Sequence, residues 1–516
     1  MRYVRRRRGR NWAKWLYAAL FAAVAVGCGD DDPGREASAS GIVRNRGGAI
    51  RPMAPLSGSV SGSRQPVFSF NEGRSGRVDI CYDRACDQVI ESLLGKDGQA
   101  QPETPLPAGT LFWRVVSHHG PSAVWQLVIP SRDSGLTTAF GVVPDYNGDG
   151  LADVAIGIPA NPNGAVQVSF GRFFPVPAFN VTLEGGDQFG RGIAAVGDLN
   201  GDGFVDLAVA SGGDPGVVTI YNGGAAGPTM GLTLAPGPLV TAGFGATIAS
   251  AGDVDGDGYG DVVVGGLEIA QVFLGAASGV VAKAAFTLAG MTGGNALTVQ
   301  GPGDVNGDGN PDVLVGGVVY LGNGTTFTAQ TNFTPGLGAA FVGDDDGDGL
   351  TDVAAGGAIL PGSPAGVDAG RFLFFQVTET VFAAAGDVDG DGHADVVSGL
   401  GAGAGTLERE RVYFGAATGC VAAGCREFSR LFITGHDNAG GDLRAIIAAA
   451  GDIDGDGGDD LVVATPDNRR VYIYLAGGAR GVPLQILEPL RFTFTSDTVG
   501  FGSSLAGLFG TAPARL

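Results

Sequence analysis

The chain has 516 residues, 53 acidic against 32 basic, a formal net charge of −21 and 92 glycines. It is too long for one ordinary domain, and too acidic for a nucleic-acid binder, which needs basic stripes. High glycine with no collagen period and a 44% apolar fraction fits many short strands joined by tight turns rather than disorder.

In chain order, residues 2–14 carry seven basic side chains from Arg2 to Lys14, and Trp15 to Val26 is uncharged and largely apolar. That is the pattern of an export signal, and a dozen apolar residues are short for a membrane span. The run ends Ala25-Val26-Gly27-Cys28, which resembles the lipobox of bacterial lipoproteins except for Ala25, where Leu is usual. The resemblance implies cleavage after residue 27, a lipid on Cys28, and a chain exported to the bacterial cell envelope and anchored there, with the outer membrane as the expected site. Plain signal-peptidase cleavage and an uncleaved anchor are the alternatives. Cleavage would remove seven positive charges and leave −21 − 7 = −28. Residues 28–51 are small, polar and aperiodic, and read as a flexible tether.

Five cysteines leave one over in an exported chain. With Cys28 assigned to the lipid, Cys81 pairs with Cys86 and Cys420 with Cys425, each across a short turn that a disulfide can bridge. A zinc site is the weaker alternative, since neither pair has a histidine or second cysteine pair nearby.

Residues 52–132 change character. Val67–Phe70, Arg77–Tyr82, Gln88–Ile90, Leu111–Val116 and Ala123–Ile129 read as short strands between Pro, Gly and Asn/Asp turns. About 80 residues of this kind predict a small β-sandwich with Trp113 and Trp125 in its core, similar in architecture to fibronectin type III or Ig-like modules. His118-His119 before Gly120-Pro121 is read as a solvated turn rather than a metal site.

From 134 to 516 one nine-residue pattern recurs seven times. The third copy reads Asp253-Val254-Asp255-Gly256-Asp257-Gly258-Tyr259-Gly260-Asp261, with Val262-Val263-Val264-Gly265 after it. Positions 1, 3, 5 and 9 are Asp145, Asn147, Asp149 and Asp153 in the first copy, then Asp198, Asn200, Asp202 and Asp206. They are Asp253, Asp255, Asp257 and Asp261 in the third, then Asp304, Asn306, Asp308 and Asp312. The last three copies carry Asp344, Asp346, Asp348 and Asp352, then Asp387, Asp389, Asp391 and Asp395, then Asp452, Asp454, Asp456 and Asp460. So 25 of these 28 positions are Asp, and the Asn residues still offer a carbonyl oxygen. Hard oxygen ligands converging from a glycine-hinged loop suit Ca²⁺, with up to seven sites in all. An EF-hand would need Glu at position 12, where Ile156, Val209, Val264, Val315, Ala355, Ser398 and Val463 stand instead.

Start-to-start spacings of 53, 55, 51, 40, 43 and 65 residues are the period of a repeat architecture. The third copy predicts strands at Phe244–Ala249, Val262–Val264, Ala270–Leu274 and Ala285–Leu288, four per repeat, the unit of a β-propeller blade. The fold class is therefore all-β: a seven-bladed propeller preceded by a small sandwich, with the segment from Phe501 helping to close the ring.

Phe189-Gly190, Phe244-Gly245 and Phe501-Gly502, followed by Gly-Asp-x-Asp/Asn-Gly-Asp-Gly-x-x-Asp, resemble the FG-GAP repeats of integrin α-subunit propellers and their bacterial relatives. The Phe-Gly pair is lost from the fourth to seventh copies, and no Arg-Gly-Asp occurs. The resemblance implies Ca²⁺ loops on the face opposite the main ligand-binding loops. It also implies a non-enzymatic module that meets an unknown protein or glycan ligand at the cell surface, with the membrane reached through the lipid and no nucleic acid bound. No catalytic residues are assigned: His393 falls at loop position 7, where the backbone carbonyl is the usual ligand, and His436 has no sequence partner. The alternatives are an envelope carbohydrate hydrolase or lyase and a lectin.

Overall fold

The computed structural model describes residues 50–71, 76–118, 120–130, 139–159, 163–171, 179–240, 242–290, 297–330, 339–371 and 381–399, with shorter stretches at 373–374, 411–415, 430–433, 446–465, 470–476, 486–487, 493–495, 504–507 and 510–511. The export signal, Cys28, the tether, His119, Cys420, Cys425 and His436 lie outside them. Among the described residues there are strands, turns and loops but no helix, and thus no helix long and apolar enough to cross a membrane.

Two sheets come first. One pairs Pro52–Ala54, Phe68–Phe70 and Gln99–Ala100. The other runs through Ser59–Ser61, Trp125–Ile129, Gly109–Ser117, Arg77–Cys81 and Val89–Leu94. Phe68, Phe70, Val78, Ile80, Trp113, Trp125 and Leu127 share one core drawn from both sheets. Trp113 is its hub, tilted against Phe68 at 4.8 Å and edge-on to Trp125 at 5.6 Å. Both tryptophans are buried, where the sequence put them. Ala139–Phe140 pairs with Ser59–Ser61, so the second sheet draws on a strand beyond residue 132. Cys81 and Cys86 form a disulfide.

Seven further sheets follow, each built on one acidic loop. In the third, Thr247–Gly252, Asp261–Gly265, Ile269–Phe273 and Phe286–Ala289 pair antiparallel in sequence order. The acidic loop is the turn between the first two. All five residues of Asp261–Gly265 are buried, because neighbouring sheets cover both faces. Ala249, Val263 and Val272 pack with Val299, Val313 and Val315 of the next sheet. Ile248, Val262 and Val264 pack with Ala208, Ala210 and Val218 of the previous one. Each such valine contributes roughly 1.5–3 kcal/mol on burial, and only because a neighbour is present. That dependence is the physics of a propeller.

The first strand of the third sheet begins at Thr247 rather than Phe244. Gly243 and Gly245 sit at φ +71 and +81, so the Phe-Gly pair is a turn that a side chain would strain. Phe244 is fully buried there and stacks edge-on with Phe273 at 6.0 Å. The pair is an anchor ahead of the strand. In the first sheet the strand beside Val154–Ile158 is Ser504–Gly507, from the far end of the chain. N- and C-terminal segments thus complete one sheet together.

Candidate metal centres

The seven loops share one hydrogen-bond scheme. The carboxylate at position 1 accepts N–H groups from its own loop: Asp145 Oδ1 from Gly148 and Asp149 (2.7 and 3.2 Å), and Oδ2 from Gly150 (2.9 Å). The position-9 carboxylate closes the turn. Asp261 Oδ2 accepts from Val254 N–H at 2.7 Å, and Oδ1 from Gly275 N–H at 2.8 Å, beyond the third strand. The same pair of bonds recurs at Asp153, Asp206, Asp312, Asp352, Asp395 and Asp460. Position 9 therefore has a structural duty besides any metal duty, which the sequence pattern does not distinguish.

The loops also touch one another. The position-8 N–H donates to the position-1 carbonyl of the preceding loop: Gly260 to Asp198, Thr351 to Asp304, Ala394 to Asp344, and Asp459 to Asp387, all within 2.8–2.9 Å. Val205 does the same to Asp145 at 3.4 Å. Pro311 has no N–H to give, and its ring packs on Gly252 instead. The position-7 side chain covers the position-4 glycine of the preceding loop in four cases: Phe204 on Gly148, Tyr259 on Gly201, Leu350 on Gly307 and His393 on Gly347. His393 is buried in that seam, with an Nδ1 lacking any hydrogen-bond partner.

Carboxylate oxygens converge within 4.8 Å of one another in four loops: Asp253, Asp255 and Asp261; Asp344, Asp346 and Asp348; Asp387, Asp389 and Asp395; Asp452, Asp454 and Asp460. The loops with Asn at position 3 have one carboxylate fewer. Burial, then the neighbouring carboxylates, push Asp253 up to about 8 and Asp255 up to about 7. Asp304 and Asp344 are raised to about 7, chiefly by burial, and Asp145 and Asp452 to about 6. Asp255 Oδ1 is buried and meets no donor. Desolvated, mutually repelling carboxylates with an unmet acceptor fit a hard divalent cation, which would supply the missing positive charge. The residues present suit the ion that the spacing predicts.

The N-terminal sheets reach this face. Trp125 Nε1–H donates to Asp253 Oδ2 at 3.0 Å, a buried contact. Arg84 Nη1 donates to Asp198 Oδ2 at 2.9 Å and Nη2 to the Gly258 carbonyl. Arg51 donates to the carbonyls of Asp308 (2.7 Å) and Gly309 (3.2 Å). The position-6 glycines lie against the module, Gly150 at Gly109, Gly203 at Phe112, Gly258 at Val124 and Gly309 at Met53. These contacts cover loops one to four. Sequence reasoning placed none of them, because the partners stand far apart in the chain and neither side carries a motif.

Outside the ligand positions, the buried carboxylates among the described residues are Asp79, Asp345 and Asp459. Asp79 is held by Arg77, Arg114 and Ser92. Asp459 accepts from Asp387 N–H at 2.8 Å. Asp345 is pushed up to about 8 by burial and neighbouring acids.

Among known protein families, the FG-GAP-like repeat matches residues 145–209 and 198–264. The chain is 34% identical over 150 residues to integrin alpha-PS5 of Drosophila melanogaster, a stretch covering 26% of this chain and 15% of that one. It is 36% identical over 150 residues to human integrin alpha-6, covering 26% and 13%. The matched stretch is thus a small part of each integrin. Among solved structures, a putative 6-phosphogluconolactonase from Bacteroides fragilis is similar at 13% identity and TM-score 0.44, covering 68% of this chain and 96% of that one. A rhamnogalacturonan lyase is similar at 14% identity and TM-score 0.34, covering 84% and 77%. Likeness of that size carries no argument about chemistry.

Proposed function

From the premise that this chain is an FG-GAP, integrin-α-like β-propeller, we propose that it is a calcium-stabilised binding or adhesion module displayed on the cell envelope. The seven-blade count belongs to this reading and is supported by the seven loop-bearing sheets. The observation that carries the calcium role is the ring of buried, mutually repelling carboxylates, with Asp255 Oδ1 left without a donor. In a loop that holds an ion, positions 1, 3 and 5 would do so together with position 9. The ion would fix the turn between first and second strands and lower the charge repulsion within each blade.

The ligand surface on this reading is the face away from the acidic loops. The contacts of Arg51, Arg84 and Trp125 support that choice, because the chain's own N-terminal module already uses part of the acidic face. A protein or glycan at the cell surface is the proposed partner. The basic, apolar leader and Cys28 support export and lipid anchoring.

Calorimetric titration with Ca²⁺ tests the reading, alongside capture of surface proteins and glycans by the full chain with and without calcium. Several weak sites are expected, with Kd on the order of 10⁻⁴–10⁻³ M as in other extracellular modules. A chain that binds no Ca²⁺, and whose melting temperature ignores chelator, would overturn it.

A further inference from the structure

We propose that Arg84 is the cation of the second loop: carried there by the N-terminal module, its guanidinium stands on Asp198 where a metal ion would otherwise bind. This inference rests on the calcium reading of the other loops and singles one of them out.

An ionised carboxylate offers about four lone-pair directions. In the first, fourth and fifth loops the position-1 carboxylate spends three on its own loop. Asp304 accepts from Gly307 (2.7 Å), Asp308 (3.1 Å) and Gly309 (3.0 Å). Asp344 accepts from Gly347 (2.7 Å), Asp348 (3.0 Å) and Gly349 (2.8 Å). Asp145 repeats the scheme. One direction is left in each for a cation. Asp198 makes the same three bonds, from Gly201 (2.6 Å), Asp202 (3.1 Å) and Gly203 (2.9 Å). Arg84 Nη1 takes the fourth at 2.9 Å. The third loop, which meets the module through Trp125, is different. Asp253 accepts only from Asp257 and Gly258 within its loop, so the indole N–H makes its third bond and leaves a direction open.

Arg84 is built into its place. It stands inside the short loop closed by the Cys81–Cys86 disulfide, where Cys86 N–H donates to the Asp83 carbonyl at 2.9 Å. The Asp83 carboxylate accepts from Asp87 and Gln88 N–H. The guanidinium lies over the Tyr259 ring, 4.9 Å from its centroid, and its side chain is only 16% exposed. The other loop arginine, Arg371 on Asp346 at 3.4 Å, is 47% exposed and free to leave. A pre-organised guanidinium loses little rotamer freedom on pairing, and its fixed charge repels a second cation at the same carboxylate.

The test is the number of ions bound by the full chain at saturating Ca²⁺, measured by equilibrium dialysis with radiolabelled calcium. Arg84→Met is expected to bind one more ion than wild type, and Arg84→Lys the same number as wild type. Asp198→Asn is expected to cost no ion in the wild-type background and to remove the gained ion in the Arg84→Met background. Near-UV circular dichroism checks that each variant is folded. If Arg84→Met does not fold, Asp198→Asn alone decides: an unchanged count supports the proposal and the loss of one ion overturns it. Ions bound by wild type with no gain in folded Arg84→Met would overturn this inference and leave the calcium reading standing. No ion bound by wild type or any variant would overturn both.

Discussion

The N–H of Ala152 donates to the carbonyl of Asp452 at 2.8 Å, joining the first acidic loop to the seventh. It is the same bond that joins neighbouring loops elsewhere, made between residues 300 positions apart. The pairing of Ser504–Gly507 with Val154–Ile158 closes the circle a second time, through backbone from the other end of the chain.

A chain ending before Ser504 should therefore lose more than a tail. The second strand Val154–Ile158, buried along its whole length, would have one edge unpaired. Each lost backbone hydrogen bond removes about 1 kcal/mol, and unsatisfied buried groups add to that. For a repeat region of about 380 residues, a loss of a few kcal/mol corresponds to a fall in Tm of roughly 3–5 °C, read by differential scanning calorimetry. An unchanged Tm would mean the closing strand is dispensable.

Proton and calcium effects should oppose each other. In the chelated protein Asp253 is raised to about 8 and Asp344 to about 7, against 3.8 as the ordinary value. Between those pH values the native state holds more protons than the unfolded chain, so stability falls as pH rises. Chelated protein is thus expected to melt higher at pH 5 than at pH 8. With Ca²⁺ at about tenfold excess over Kd, each occupied site adds roughly 1.4 kcal/mol, and the ordering reverses because the ion binds the ionised carboxylates. Melting curves at two pH values, each with calcium or chelator, check the sign.

Two aspartates of the third loop separate folding from metal binding. Asp261 accepts from Val254 and Gly275 N–H through its two oxygens. Asp261→Asn places an amide NH₂ against one of those donors, and should cost about 2–3 kcal/mol in chelator as well as in calcium. Asp255 Oδ1 meets no donor in the protein. Asp255→Asn should leave chelated stability level or slightly higher, since it relieves repulsion with Asp257, and should weaken calcium binding at that loop. Urea unfolding of both variants in each condition distinguishes the roles. Equal losses in chelator would contradict the division.

How much of this was legible in the sequence follows from what each contact depends on. The loops and their order are local: nine residues supply their own turn, ligands and following strand, so Asp253–Asp261 could be read in isolation. The strands of the third sheet were placed to within a few residues for the same reason. The double duty of Asp261 was hidden because its second partner, Gly275, lies beyond the third strand. Phe244 read as strand, yet it lies in a turn set by two glycines whose φ no periodicity shows. The docking of the N-terminal module was invisible. Arg84 and Asp198 are 114 positions apart, and a single arginine in a turn has no pattern to find. Trp113 and Trp125 were both expected in the core from their aromatic bulk, and the core holds both. What bulk could not show is that the Trp125 ring ends in an N–H aimed out of its own module.

That N–H supplies the last prediction. Trp125→Phe keeps an aromatic ring against Trp113 but removes the donor to Asp253 Oδ2. With Asp253 raised to about 8, its carboxyl is mostly neutral near pH 7 in the chelated protein, and a buried hydrogen bond to it is worth about 0.5–1.5 kcal/mol. Part of that loss should be recovered with calcium, because the freed lone pair of Asp253 becomes available to the ion. The variant is therefore expected to be clearly destabilised in chelator and closer to wild type in saturating Ca²⁺. Hydrogen–deuterium exchange should show faster exchange in the strand Trp125–Ile129 and in the loop from Asp253 to Asp261 together, if the bond couples module to blade. Faster exchange confined to the N-terminal sheets would instead mean that Trp125 matters only as a core residue.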